Sequence, residues 1–280
     1  MSERISDQTA DRYCVIGNPI AHSRSPDIHA AFARQTRHQL VYERCLAPLD
    51  GFEATVRELI AQGYRGANVT VPFKLEAAAI ADVLTERGKA AGAINTLVFA
   101  DGQIRGDNTD GAGLVNDILN NAGARIEGKT ILMLGAGGAS QGCILPLLGQ
   151  NPAELVVANR TRANADKLID RFAGAAGGKL FAVEYEEIDS DFDIVINGTS
   201  ASLADSLPPV PERAFSTSTL ALDMMYGAKP SRFMAFAAEQ GAVTRDGLGM
   251  LVEQAAEAFF VWRGVRPDTD AVLQQIRSAL

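Results

Sequence analysis

The feature that most constrains the fold of this chain is a glycine-rich turn set between an apolar run and a helical stretch. The apolar run covers residues 131–134, and the turn that follows it reads GAGGAS over residues 135–140. A helical stretch comes next, and then a second apolar run at 155–158. This order of strand, glycine turn, helix and strand is typical of a dinucleotide-binding fold.

The positions of the glycines fit that interpretation physically. Gly135 permits the tight turn, and Gly137 lets the backbone approach a pyrophosphate closely. The third glycine of the usual pattern is replaced by Ser140, which is still small enough for close packing of helix on strand. The start of the helix then offers free N–H groups and a positive dipole end to the anion. A glycine turn in some other α/β protein is the alternative interpretation.

Residues 159–162, at the end of the second apolar run, indicate which dinucleotide binds. A site for NAD places Asp or Glu there to accept a hydrogen bond from the ribose 2′-OH. This chain has Asn159-Arg160-Thr161-Arg162 and no carboxylate. Because guanidinium groups can grip a phosphate through two hydrogen bonds, the segment suits a 2′-phosphate and predicts NADP(H) as the cofactor.

Composition and charge exclude several classes of protein. Of 280 residues, 47% are apolar, and the formal net charge of −8 argues against a nucleic-acid footprint. The N-terminal residues 1–13 carry no apolar core of a secretory signal, and no apolar stretch is long enough to span a bilayer. We therefore expect a cytoplasmic protein with no membrane partner. Cys14, Cys45 and Cys143 are too dispersed for a disulfide framework or a metal site, and Cys14 and Cys143 are expected in the core.

Strand-like and helical patterns alternate along the chain, which predicts an α/β fold with parallel sheets covered by helices. We expect a substrate and catalytic domain over 1–110 and a Rossmann-like NADP-binding domain over 111–245. The segment 246–280 reads as two helices that return to the first domain. The Ala- and Gly-rich patch at 173–178 is predicted to be a loop.

Polar residues follow the first strand in the stretch GNPIAHSRSP, 17–26. Pro26 at a helix start with Ser25 as N-cap would explain part of it structurally. Ser23 is not needed for that purpose, and two hydroxyls beside a helix start suit the carboxylate of a polyol. His22 is either catalytic or, the preferred interpretation, a loop or surface residue.

A lysine in an unfavourable place ends the stretch NVTVPFK, 68–74. Thr70 could cap the helix that follows, but Lys74 puts a cation in the first turn, where the helix dipole prefers an anion. Broken local rules of this kind point to function, although an ordinary surface lysine needs no explanation. Asp107 and Asp110, in GDNTDG after a predicted hairpin, are turn and cap residues by default, and Asn95 is a loop residue by default.

Taken in order, GNPIAHSRSP, NVTVPFK, AGAINTL, GDNTDG, GAGGAS, NRT, INGTS and DGLGMLVEQA resemble the motifs of the shikimate dehydrogenase family. The resemblance runs from about residue 13 to residue 262. It implies a two-domain α/β enzyme that reduces 3-dehydroshikimate to shikimate with NADPH in aromatic amino-acid biosynthesis.

The resemblance also implies roles for individual residues. Lys74 is implied to be the catalytic acid–base and Asp110 its partner. The implied substrate-binding residues are Ser23, Ser25, Asn68, Thr70, Asn95, Tyr226 and Gln254. The implied cofactor-binding residues are Glu86, Gly135, Ala136, Gly137, Gly138, Ala139, Asn159, Arg160, Thr161, Arg162, Met224 and Gly247.

The chain departs from the family pattern at a few positions, with Gln141 and Asn164 where basic residues are frequent. Glu253, beside Gln254, replaces a residue that is often small or neutral, and we expect it to face solvent. Two alternatives stay open: a quinate/shikimate dehydrogenase of broader specificity, and a non-catalytic protein that senses NADP or a metabolite. The expected partner is a small-molecule substrate, with no nucleic acid and no metal, in a monomer or homodimer.

Overall fold

The computed structural model describes residues 10–280, and residues 1–9 of the predicted first domain lie outside the described part. Two six-stranded sheets are covered by helices. The first sheet has, in spatial order, β2 (Leu40–Leu46), β1 (Asp11–Gly17), β3 (Tyr64–Val69), β5 (Thr96–Ala100), β6 (Gln103–Asp107) and β4 (Val83–Leu84). Its helices are α1 (Ser25–Thr36), α2 (Phe52–Ala61), α3 (Lys74–Ile80), α4 (Glu86–Ala91) and α5 (Asp110–Asn116).

The second sheet is wholly parallel, as a Rossmann-like fold requires. Its strands, in spatial order, are β12 (Val243–Arg245), β11 (Leu220–Asp223), β10 (Ile194–Asn197), β7 (Thr130–Leu134), β8 (Glu154–Ala158) and β9 (Leu180–Val183). Its helices are α6 (Gly138–Leu148), α7 (Arg162–Ala176) and α8 (Arg232–Glu239). The order changes direction beside β7, so the glycine turn after β7 opens into the crevice where such sheets bind ligands.

The last two helices, α9 (Leu248–Arg263) and α10 (Asp270–Ser278), pack back on the first sheet's side. The apolar face of α1, with Ile28 and Phe32, is buried against Phe259 of α9 and Ile276 of α10. The prediction that the C-terminal helices return to the first half is therefore confirmed. In the described part of the chain no helix is long and apolar enough to cross a membrane.

The predicted α/β class is confirmed, but several local predictions were wrong. The first sheet is mixed and not parallel as predicted, because β5 runs antiparallel to β3; its antiparallel pairing with β6 confirms the predicted hairpin. The patch at 173–178 is helical as far as Ala176, since alanine is a strong helix former, and only Gly177 and Gly178 turn the chain. The sequence patterns also missed β4 and α4, which are too short to show a period, and the π-helical turn Asp117–Asn121.

Candidate active site

Lys74 and Asp110, which are 36 residues apart, form an ion pair in which Lys74 Nζ lies 2.6 Å from Asp110 Oδ2. Each is the first residue of its helix, α3 and α5 respectively. The Asp110 side chain is 9% exposed and that of Lys74 is 21% exposed, so the pair is shielded but open on one side. Because the Lys74 ammonium donates one of its three N–H groups to Asp110, the other two can donate to a bound molecule.

Asn95, a buried residue directly before β5, binds the other carboxylate oxygen of Asp110. Its Nδ2 donates to Asp110 Oδ1 at 2.8 Å and to Thr109 Oγ1 at 2.9 Å. Its Oδ1 accepts a hydrogen bond from the Thr109 backbone N–H at 2.8 Å. Because both Nδ2 and Oδ1 of this buried amide are hydrogen-bonded, the Asn95 side chain is fixed in place. It therefore holds the Asp110 carboxylate in one orientation relative to Lys74.

Asn68, at the end of β3, is buried beside this group and is oriented by three hydrogen bonds. Its Oδ1 accepts from the Tyr42 hydroxyl at 2.7 Å, and its Nδ2 donates to the Asn95 carbonyl and to Thr96 Oγ1, each at 3.1 Å. Burial raises the pKa of Tyr42 well above its usual value, and a hydrogen bond from Ser25 opposes that effect. Asn68, Ser25 and Asn95 therefore belong to one connected polar layer.

The serine loop before α1 is built differently from the sequence prediction. Arg24, not Ser25, is the N-cap residue and makes no side-chain cap, while Ser25 is the first helical residue. Ser23 Oγ accepts from the Ser25 backbone N–H at 3.3 Å, which replaces the predicted cap. Arg44 holds this loop by donating twice to the Ser23 carbonyl. His22 is exposed, in agreement with the preferred surface interpretation.

Thr70 does not cap α3, whose N-cap residue is Phe73. Its backbone carbonyl accepts from the Phe73 N–H, and its methyl group lies against Gly17, where an added Cβ would be 2.5 Å from Thr70 Cγ2. The close approach brings the turn after β3 onto the turn after β1. The side chains of Thr70 and Ser23 are consequently placed at the same edge of the sheet, where β1 and β3 both end.

Gln254 reaches the Lys74–Asp110 ion pair from α9. Its Oε1 accepts from Asn95 Nδ2 at 3.2 Å, although it lies 159 residues away in the chain. Tyr226, in the segment after β11, packs against the cluster of α1 and α9. The expectation that Glu253 faces solvent was wrong: it is 2% exposed and accepts from Arg266 and Thr269. Charge pairing, invisible in the linear sequence, makes that burial tolerable.

Asp107 and Arg87 form a second ion pair at the start of the loop 107–110. Arg87 Nε and Nη2 donate to the two oxygens of Asp107 at 2.7 and 2.6 Å. Burial alone would raise the pKa of Asp107, but the hydrogen bonds from Arg87 and Thr85 outweigh it and hold that pKa below its usual value. Sequence reasoning missed Arg87, because the local pattern around Asp107 indicates only a turn.

The glycine turn forms an open cradle after β7. Gly135 has φ of +93°, a backbone conformation that favours glycine. Gly137 and Gly138 are exposed, and an added Cβ on either would meet nothing within 4 Å. Ser140 is fully buried against Gly198, where an added Cβ would come within 2.5 Å of its Oγ. Close packing behind the turn and open space in front of it fit a pyrophosphate.

The segment 159–162 curves over the same turn. Asn159 Oδ1 accepts from the Ala136 backbone N–H at 3.2 Å, so the two cofactor motifs are in contact. Arg160 is exposed, whereas Arg162 donates to Asp166 and Glu187 at 2.9 Å each. The two arginines predicted to serve alike are therefore placed differently: one is open to solvent, and the other is held by carboxylates.

Three other residues predicted to bind the cofactor, Met224, Gly247 and Glu86, lie outside the two motifs at 135–140 and 159–162. Gly247 donates from its backbone N–H to the Met225 carbonyl, and an added Cβ would lie 2.1 Å from the Met224 carbonyl oxygen. This close approach fixes the turn around Met224. Glu86 is exposed at the start of α4, and no hydrogen bond or ion pair of its side chain is found in residues 10–280. Its role stays a prediction.

A polar cluster that the sequence did not reveal supports the ends of β10 and β11. Ser202 Oγ and Ser231 Oγ donate to Asp223 Oδ2 at 2.6 and 2.5 Å, and Asn197 Nδ2 donates to Ser202 Oγ at 3.2 Å. Asn197 also belongs to the motif INGTS, which was the available signal. The cluster fastens the strand ends beside the glycine turn, since Gly198 N–H donates to the Leu134 carbonyl.

Comparison with protein families gives three matches along the chain. Residues 15–97 match the model of the shikimate dehydrogenase substrate binding domain. Residues 116–205 match the shikimate / quinate 5-dehydrogenase model, and residues 247–277 match the shikimate 5′-dehydrogenase C-terminal domain.

Individual proteins match over nearly their full length. A shikimate dehydrogenase (NADP(+)) of Janthinobacterium sp. is 60% identical over 96% of this chain and 98% of its own. The crystal structure of an Ael1 enzyme from Pseudomonas putida has 47% identity and a TM-score of 0.91, covering 95% of this chain and 98% of its own. A Thermus thermophilus shikimate 5-dehydrogenase, solved with NADP(H) and shikimate, has 31% identity and a TM-score of 0.86, covering 96% of this chain and 100% of its own.

Proposed function

Because the chain belongs to the shikimate dehydrogenase family, we propose that Lys74 and Asp110 are the acid–base pair of its reaction. The chain is an NADP-dependent oxidoreductase that reversibly reduces 3-dehydroshikimate to shikimate in aromatic amino-acid biosynthesis. The observation that carries the proposal is the shielded contact of 2.6 Å between Lys74 Nζ and Asp110 Oδ2.

In the direction of reduction, the Lys74 ammonium donates a proton to the carbonyl oxygen of 3-dehydroshikimate. In the reverse direction, the same nitrogen accepts the proton of the shikimate hydroxyl. Asp110 orients the ammonium, and Asn95 in turn orients Asp110 through the hydrogen bond to Oδ1. Proton transfer of this kind contributes roughly 10²–10⁴-fold to a rate.

The hydroxyls of Ser23 and Ser25 are proposed to bind the substrate carboxylate. Asn68, Thr70, Asn95, Tyr226 and Gln254 are proposed to bind the substrate hydroxyls and the ring around Lys74. Support comes from the connected polar layer at the ends of β1 and β3, which joins Ser25, Asn68 and Asn95. Hydrogen bonds from neutral hydroxyls are weaker than a bidentate arginine contact, so binding must be distributed over several of these groups.

NADP(H), when bound, supplies or accepts the hydride. The backbone of 135–139 is proposed to hold its pyrophosphate, and residues 159–162, Arg160 foremost, its 2′-phosphate. Met224 and Gly247 are proposed to line the nicotinamide, with Glu86 at the margin. The open space in front of Gly137 and Gly138 supports this assignment.

The proposed domains are a substrate domain, 1–110 with 246–280, and an NADP-binding domain, 111–245. We also propose a cytoplasmic location and a monomeric or homodimeric state. Cell fractionation and sedimentation of the purified protein test these two properties.

The experiment that tests the function compares Lys74→Met with Lys129→Met by following NADPH absorbance. Lys129 is a matched control, because it also pairs with an aspartate, Asp193, but lies just before β7, in the other sheet's half of the chain. We expect turnover of shikimate with NADP⁺ to fall by roughly 10²–10⁴-fold in Lys74→Met and to stay unchanged in Lys129→Met.

Three results would contradict the proposal. If Lys74→Met raised KM for shikimate but kept kcat, Lys74 would be a binding residue. If the wild-type protein turned over quinate with NAD⁺ better than shikimate with NADP⁺, a dehydrogenase of broader specificity would replace the shikimate-specific enzyme. Binding of NADPH without any turnover would favour the sensing protein.

A further inference from the structure

Behind the acid–base pair, a single guanidinium group joins the catalytic loop to the C-terminal helix. Arg87 uses Nε and Nη2 on the two oxygens of Asp107, and it uses Nη1 on Glu257 Oε1 of α9 at 2.7 Å. The Asp107 side chain is buried, with 5% exposed, and Arg87 and Glu257 are half-buried. A planar group with donors in a fixed fork holds its two carboxylates at a set distance and angle.

One arm of this bridge leads to Asp110 through the loop. Asp107 Oδ1 accepts from the Asn108 backbone N–H at 2.8 Å. Asn108 Oδ1 then accepts from the Asp110 backbone N–H at 3.0 Å. The orientation of the Asp107 carboxylate therefore determines where the backbone of Asp110 lies, and with it the carboxylate that holds Lys74.

The other arm leads to the same place through α9. Glu257 follows Gln254 by three residues, so the two side chains share one face of the helix. Gln254 Oε1 accepts from Asn95 Nδ2, which also donates to Asp110 Oδ1. Moving α9 relative to the loop would therefore pull Asn95 away from Asp110.

We propose that Arg87 is a positioning residue for the reaction, because its simultaneous grip on Asp107 and Glu257 sets the spacing between the catalytic loop and α9. The inference rests on the proposed roles of Lys74 and Asp110. Arg87 touches neither of them and acts through Asp107, Asn108 and Gln254. Displacement of a catalytic group by about 1 Å can reduce a rate on the order of a hundredfold.

The test must separate positioning from the cost of an unpaired buried charge. The single variant Arg87→Met leaves buried Asp107 without its cation and takes one of two cations from Glu257, which Arg266 also pairs with, so it is expected to be unstable. The double variant R87M/D107N removes both charges of the main pair, which can restore much of the stability. If Arg87 only balances a charge, activity should return together with stability.

We expect instead that R87M/D107N unfolds near the wild-type temperature but keeps a kcat roughly ten- to a hundredfold lower, with NADPH affinity unchanged. Arg87→Lys keeps the charge but loses the forked donors of the guanidinium, so its kcat should lie between those of the wild type and R87M/D107N. The control is Arg105→Met, because Arg105 pairs with Asp101 on the exposed hairpin and should keep wild-type kcat.

Wild-type kcat in a stably folded R87M/D107N, while Lys74→Met stays inactive, would overturn the proposal for Arg87 alone. Full activity of Lys74→Met would instead overturn the proposed function on which it rests. The two failures are therefore distinguishable in one set of assays.

Discussion

The two halves of the candidate site are built on opposite plans. The proposed acid–base half, on the first sheet, is assembled from side chains far apart in sequence: Asn95 contacts both Asp110 and, 159 residues away, Gln254. The cofactor half, on the second sheet, is assembled locally: the turn at 135–140 and the tip at 159–162 belong to one strand–helix–strand unit, and a hydrogen bond from Ala136 to Asn159 joins them.

The difference concerns which atoms make the contacts. On the first sheet, buried side chains hold each other in one orientation, so removing one leaves several without partners. On the second sheet, backbone N–H groups and open space form most of the proposed cofactor cradle, and the exposed side chains can change with smaller consequences. The proton-transfer half should therefore be fragile to substitution, and the cofactor half should be tunable.

Among the substitutions that test this comparison, Asn95→Ala is expected to have the largest effect, because it takes the central partner from Asp110, Thr109 and Gln254. Losing buried hydrogen bonds to a charged group costs about 3 kcal/mol, which corresponds to roughly a hundredfold loss in kcat/KM for shikimate. The dissociation constant of NADPH, measured by fluorescence, should not change. A loss of cofactor affinity equal to the loss of activity would mean that the two halves are not separately built.

A smaller effect is expected from Arg160→Ala, which acts on the tunable half. Removing a guanidinium that is proposed to contact the 2′-phosphate should weaken NADPH binding by roughly thirtyfold and leave NADH binding unchanged. The measurement is the ratio of KM values for the two cofactors. Equal weakening of NADPH and NADH would show that Arg160 does not read the phosphate.

His29 tests whether the interior of the first half stays shielded from water in the folded protein. It is fully buried against Tyr42, with a ring-centroid distance of 4.2 Å, and within residues 10–280 both ring nitrogens lack a hydrogen-bond partner. Because burial disfavours the charged imidazolium, it lowers the pKa of His29 to about 3. The folded protein thus keeps His29 neutral, while the unfolded chain takes up a proton below about pH 6.5. Stability is fully present above that pH and is lost as the pH falls.

From about pH 7 to about pH 5.5, this single group should lower the free energy of unfolding by about 1.3 kcal/mol. His29→Leu should remove that part of the pH dependence, whatever its effect on stability at neutral pH. His22→Leu, at an exposed position, is the control and should keep the wild-type slope. Denaturant unfolding at several pH values is the measurement, and an unaltered slope in His29→Leu would show that His29 is protonated in the folded state.

The smallest effect is expected from Arg162→Ala. Because Arg162 is already held by Asp166 and Glu187, its loss should change the KM for NADPH by less than about threefold. A change as large as that of Arg160→Ala would mean that Arg162 leaves its carboxylates when NADPH binds. The comparison of the two arginines thereby measures how rigid the tip is.

The sequence predicted the two halves unequally well, for the same reason. The glycine turn and the basic tip could be interpreted from local patterns, because backbone conformation and short spacing determine them. Lys74 stands out in the sequence as a cation in an unfavourable helix position, but its partner Asp110 came only from the family resemblance. Arg87 and the burial of Glu253 were missed, because Glu257 lies 170 residues from Arg87, and Arg266, the partner of Glu253, lies beyond the end of α9, so neither pair leaves a local pattern.

The return of α9 and α10 to the first sheet has a consequence for how the protein is made. Most of the apolar side chains that cover Ile28 and Phe32 of α1 lie in residues 248–276, which are synthesised about 200 residues after α1. At roughly 5–20 residues per second, the first half waits on the order of tens of seconds with this apolar face open to water. A chaperone that shields α1 during that interval would protect the yield of active enzyme without ever touching its active site.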